Sequence, residues 1–219
     1  MADARTDVPV DAFAFRAPLS VCMDVTHPLA YLALGPVEAL AAELGVAVDW
    51  LPFAAAGLKP PPPPGEERGV RHRRNRAAYQ ASEIERYAEA QGLRIREPFR
   101  DVDGGAACLG HLWLRDRAPA QLGAYLRALF QRLWDGELGA LDTTLVAGVI
   151  DELGDDSAAY RAFAAGPGNG ALAALRESLV AAGVFTVPSL VVAGEVFVGR
   201  AHLPMVRWLL GGRAGPAPI

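Results

Sequence analysis

Apolar and polar positions fall into three blocks along the chain. Residues 19–25 (L-S-V-C-M-D-V) form a short apolar run of the length expected for a buried strand. Thr26-His27-Pro28 then reads as a helix start. Thr26 or His27 sits at the cap and Pro28 in the first turn, where a missing N–H costs nothing. Leu29, Leu32, Pro36, Leu40 and Leu44 recur near one helical face, and Gly45 ends the helix. Residues 46–53 read as a second strand, so the opening has the length of a βαβ unit.

The second block is helical. Five consecutive prolines, Pro60 to Pro64, make a stiff extended spacer before it. Residues 70–92 predict a polar helix with Tyr79, Ile84, Tyr87 and Ala88 inward. Further helices are expected near 104–115, 119–135, 141–153, 156–165 and 170–182, broken by Pro119, Gly136/Gly139, Gly154 and Gly166-Pro167-Gly168. The third block returns to strands. Residues 186–192 and 196–198 flank a tight turn at 193–195, and 202–210 make a closing helix. The order is β-α-β, a helical block, then β-β-α. It predicts an α/β thioredoxin-like fold with a large helical insertion: a lead-in over 1–18, a thioredoxin-like domain from 19–69 and 183–213, and an insertion over 70–182.

Composition narrows the chemistry. Of 219 residues, 52% are hydrophobic and 21% charged, enough for a sizeable core and too apolar for a disordered chain. The longest uncharged run, residues 178–194, has 17 residues and is interrupted by Gly183 and Pro188, so no spanning helix is expected. The first residues carry Asp3, Arg5, Asp7 and Asp11 without a separate apolar core, and do not read as a secretory signal. A cytoplasmic location follows as the default expectation. A net charge of −4 argues against nucleic acid as a partner. Cys22 and Cys108 stand 86 positions apart, form no C-x-x-C, and cannot by themselves make a metal site.

Three stretches carry a resemblance. D-V-T-H-P-L-A-Y-L-A at 24–33 is similar to D-F-x-S-P-Y-S-Y-L-A of the 2-hydroxychromene-2-carboxylate isomerases and kappa-class glutathione transferases, a branch of the DsbA-like thioredoxin superfamily. R-N-R-A-A-Y-Q-A-S-E-I-E-R-Y-A-E-A-Q-G-L at 74–93 resembles that family's helix of basic residue, tyrosine, acid and arginine. G-V-F-T-V-P-S-L-V-V-A-G-E-V-F-V-G-R at 183–200 resembles its cis-proline hairpin. The resemblance implies glutathione or another low-molecular-weight thiol as cosubstrate, no metal, and a small electrophile as the partner molecule, with a homodimer left open. It also implies a cis bond at Val187-Pro188, with the Val187 backbone facing the thiol and its sulfur pointing at His27.

The chain departs from that pattern in informative places. His27 occupies the first-cysteine position of disulfide exchangers and Ala30 the second, so redox cycling by this pair is ruled out. A neutral imidazole at a helix N-terminus can take a thiol proton or donate to a thiolate. His27 with Thr26 could equally do no more than cap the helix, and Thr26 could supply a hydroxyl instead. The family's aspartate after the hairpin glycine is missing. Gly199-Arg200-Ala201-His202 stands there, with Arg200 and His202 either gripping the thiol or solvated. Residues 68–76 hold five arginines and His72, read as a solvated helix start or as a site for carboxylates of an acidic small molecule. His111, Trp113 and Trp134 read as core, with Trp113 or Trp134 also a candidate wall for an aromatic substrate. Two functions follow: a thiol-dependent isomerase or transferase, or a degenerate binding module without turnover.

Overall fold

A computed structural model describes residues 15–136 and 140–218; most of the lead-in and the break at Gly139 lie outside the described residues. Four strands form one mixed sheet: β1 (Leu19–Met23), β2 (Val48–Pro52), β3 (Ser189–Val192) and β4 (Glu195–Val198), in the order β2-β1-β3-β4. β1 pairs with β2 in parallel and with β3 antiparallel, and β3 pairs antiparallel with β4. All five residues of β1 are buried, which is why this strand reads as a continuous apolar run.

Helix α1 (Pro28–Leu44) makes the crossover that a parallel pair requires. Pro28 opens it, and Gly45 closes it in the left-handed conformation (φ 64°), its amide reaching Ala41 O and Ala42 O. The middle block is α2 (Arg68–Ala90), α3 (Gly105–Arg117), α4 (Leu122–Trp134), α5 (Thr143–Glu152), α6 (Ser157–Ala165) and α7 (Gly168–Ala181), with α8 (Leu203–Leu210) closing the chain. Asp142 and Asp156 cap α5 and α6 by accepting the amides of Leu145 and Ala159.

The core is continuous from the sheet into the helical block, and Trp113 and Trp134 both lie within it. Two contacts lock the block onto the turn that follows β1. Tyr31 of α1 stacks on Phe130 of α4 at 4.9 Å between ring centres. The indole N–H of Trp134 donates to Val25 O at 3.0 Å. On the other side, α3 rests against β2 through a buried fork in which Arg115 donates to both carboxylate oxygens of Asp49, at 2.7 and 2.8 Å.

Most boundaries shift by a few residues from the sequence pattern, and two of the shifts bear on the site. The strand expected from 186 begins at Ser189, because Pro188 offers no N–H and the Thr186 carbonyl is taken by Ser189 Oγ at 2.7 Å. The closing helix begins at Leu203, after a 3₁₀ turn over Arg200–His202. The Val187-Pro188 bond is cis. Among the described residues, no helix is long and apolar enough to cross a membrane.

Candidate functional site

The turn between β1 and α1 is organised by Asp24, which is buried. Its Oδ1 accepts the Thr26 amide at 2.9 Å and the Thr26 hydroxyl at 2.7 Å, and its Oδ2 accepts the Ala55 amide at 2.9 Å. The start of α3 lies directly on this turn. A Cβ on Gly104 would come within 2.8 Å of Thr26 Cγ2, so the close approach requires glycine. The Thr26 hydroxyl is therefore committed to Asp24, and Thr26 does not cap α1. The cap residue is His27, and its side chain makes no capping hydrogen bond. Capping by either side chain, one of the readings above, does not describe this turn.

His27 is 4% exposed, and its Nδ1 is enclosed with no hydrogen-bond partner. Burial pushes its pKa below the usual imidazole value, while the nearby Asp24 charge pulls the other way. The ring is thus held neutral at physiological pH. Its backbone carbonyl accepts the Ala30 amide at 3.0 Å, and Pro28 has no N–H. Among the described residues, the first-turn amide of α1 left without an acceptor is that of Leu29.

Leu29 faces a cavity of about 170 Å³, walled also by Glu83, Tyr87, Pro188, Gly199 and Arg200. Glu83 and Tyr87 lie one turn apart on α2. The Arg200 guanidinium lies over the Tyr87 ring, 3.3 Å from its centre. Glu83 has no ion pair among the described residues. The hairpin wall is fixed by the Gly199 amide donating to Pro188 O at 2.8 Å. The Val187 N–H and C=O beside it have no partner among the described residues.

Of the residues singled out from sequence, Pro188 and Arg200 wall this cavity, with Val187 buried behind Pro188. His27 and Thr26 are not on its wall; they lie in the turn immediately preceding Leu29. His202 is exposed, packs its ring near Phe197 with 6.0 Å between centres, and is not on the cavity wall. Leu29, Glu83 and Tyr87 were not assigned a role by sequence reading. The signal for the last two was present, since both lie within the 74–93 stretch that carries the family resemblance.

The protein's own thiols are chemically silent. Burial, with Asp49 nearby, pushes Cys22 up to about 12, and burial raises Cys108 further. Among the described residues no group of three acidic, histidine or cysteine side chains could hold a metal ion. His111 is buried in α3, with one ring nitrogen bonded to the Trp50 backbone and Nε2 unpartnered.

A family model described as the DSBA-like thioredoxin domain matches residues 19–211. No curated protein matches the chain. Among solved structures, 2-hydroxychromene-2-carboxylate isomerase aligns at a TM-score of 0.68 and 21% identity, over 89% of this chain and 95% of its own. The cytosolic disulfide reductase DsbM from Pseudomonas aeruginosa, solved with GSH, aligns at a TM-score of 0.60 and 17% identity, over 89% and 98% of the two chains. At these identities the likeness is one of fold.

Proposed function

The chain belongs to the DSBA-like thioredoxin domain family, and from that premise we propose that it is a glutathione- or related thiol-dependent isomerase or transferase. Its partner would be a small aromatic or unsaturated electrophile, and its compartment the cytoplasm, where a reduced thiol pool is at hand. One observation carries the proposal: a neutral, buried His27 with a free ring nitrogen stands at the start of α1, while both cysteines are held as unreactive thiols. That arrangement supports a bound thiol as the source of the nucleophilic sulfur.

In this reading the cavity beside Leu29 holds that thiol. Arg200 and Glu83 present one positive and one negative charge, a fit for the carboxylate and ammonium of an amino-acid head. The free Val187 N–H and C=O pair with its peptide backbone. His27 takes the S–H proton, and the Leu29 amide and the α1 dipole stabilise the thiolate. In an isomerase the thiolate adds to an activated double bond, whose electron pair moves onto the substrate's acceptor group. The new single bond rotates, the electrons return, and sulfur leaves to regain its proton from His27. In a transferase the C–S bond stays, and a leaving group departs with its electron pair.

The low exposure of His27 and its absence from the cavity wall favour a second reading, a binding module that keeps the pocket without turnover. A thermal-shift series with glutathione, cysteine and coenzyme A tests thiol binding. A ligand at ~100 times its Kd stabilises the folded state by about 2.7 kcal/mol, and a thiol that binds raises the Tm accordingly. No shift with any thiol refutes the thiol-dependent enzyme. A shift without turnover on activated electrophiles leaves the binding module.

A further inference from the structure

The basic start of α2 is one side of a second cavity, of about 340 Å³, closed on the other side by the loop that precedes the proline run. Leu58 and Lys59 come from the loop, and Arg73, Arg76, Ala77 and Gln80 from the helix. The loop is tied to the helix by Arg74, whose guanidinium donates to Pro62 O at 2.8 Å. Arg73 and Arg76 are one turn apart and so share a face, and the buried Ala77 beside them adds an apolar floor.

Five arginines elsewhere in the molecule enter ion pairs with carboxylates. Arg16 pairs with Asp116, Arg115 with Asp49, Arg127 with Glu38, Arg132 with Glu152 and Arg207 with Glu43. Lys59, Arg73 and Arg76 enter no ion pair among the described residues, yet converge on one concavity of a chain with net charge −4. Like charges brought together without a counterion repel, and a bound dianion relieves that repulsion.

We propose that this cavity is a binding site for a phosphorylated small molecule. A monocarboxylate would offset one of the three charges and offer two oxygens. A phosphate monoester offsets nearly two and presents three oxygens, enough for two guanidinium forks and an ammonium at once. The volume lies in the range of ligand sites, about 300–1,000 Å³, which leaves room for an organic part against Leu58, Ala77 and Gln80. The wall has no aromatic platform for stacking bases, which disfavours a nucleic acid strand. The site does not depend on the thiol chemistry proposed above, so either can fail alone.

Calorimetric titration at low salt with phenyl phosphate and benzoate tests the assignment. Phenyl phosphate binds at least about tenfold more tightly than benzoate, and inorganic phosphate competes with it. In an Arg73→Gln/Arg76→Gln variant its affinity falls by about tenfold or more, whereas Arg68→Gln/Arg71→Gln, with the same loss of charge outside the cavity, stays within about twofold. Equal binding of the two probes, no saturable binding, an equal loss in both variants, or tighter binding of a single-stranded oligonucleotide would each overturn it.

Discussion

Two buried histidines, one at the start of α1 and one inside α3, look alike by inventory. Each has an enclosed ring nitrogen without a partner, and each is held neutral by burial. Their surroundings differ. His111 is sealed in the core beside the Asp49–Arg115 pair and one backbone bond, and burial drives its pKa down to about 3. His27 stands at a helix N-terminus, two residues before a cavity wall, next to a carboxylate that works against the effect of burial. An unpartnered nitrogen by itself does not mark a site. Position at a helix N-terminus beside a cavity does.

The core side of the comparison is broken most severely at the ion pair. Asp49→Ala removes the carboxylate from the Arg115 guanidinium, 3% exposed, in the interior, and urea unfolding should show a loss of about 3–5 kcal/mol. A loss under about 1 kcal/mol would mean that water reaches Arg115, and that α3 is not sealed as described.

Acid separates the two histidines next. The folded-state pKa of His111 lies below its unfolded value of 6.5, so the unfolded chain takes up the proton first. The contribution is fully present above 6.5 and is lost as pH falls from there toward about 3, amounting to roughly 5 kcal/mol at most. His27 adds a slope of the same sign. Unfolding free energies measured from neutral to acidic pH should therefore fall less steeply in His111→Gln than in the parent. Equal slopes would place His111 in contact with solvent.

Kinetics reverse the ranking. His27→Ala lowers thiol-dependent turnover by about ten- to a thousandfold, or roughly 1.4–4 kcal/mol, and the helix loses no capping bond because His27 makes none. His111→Ala costs about 1–3 kcal/mol of stability and leaves kcat and KM unchanged. Wild-type kinetics in His27→Ala at saturating thiol would move the proton-transfer role elsewhere.

Local signals in the sequence explain why the fold was legible and the site only partly so. Pro28 and Gly45 mark both ends of α1, and the Gly and Pro breaks place each helix of the middle block within a few residues. The continuous apolar run of β1 announces a strand covered on both faces. Residues that meet only through the fold leave no such mark. Asp49 and Arg115 are 66 positions apart, and the cavity joins Leu29, Glu83 and Arg200 from three distant elements. Thr26 differs for another reason, since its partner Asp24 is only two residues away. A threonine before Pro28 suits a cap as well as it suits a bond back to Asp24, and the local sequence does not choose between the two.

The central claim is that a bound thiol is deprotonated beside His27, and the ultraviolet absorbance of the thiolate measures it directly. The protein's own thiols stay dark through the relevant range, since Cys22 is raised to about 12 and Cys108 further. Glutathione bound at saturation should titrate clearly below the ~8.5 of a free cysteine thiol, and in His27→Ala it should return toward that value. A bound thiol that titrates like free glutathione in both proteins would contradict the account.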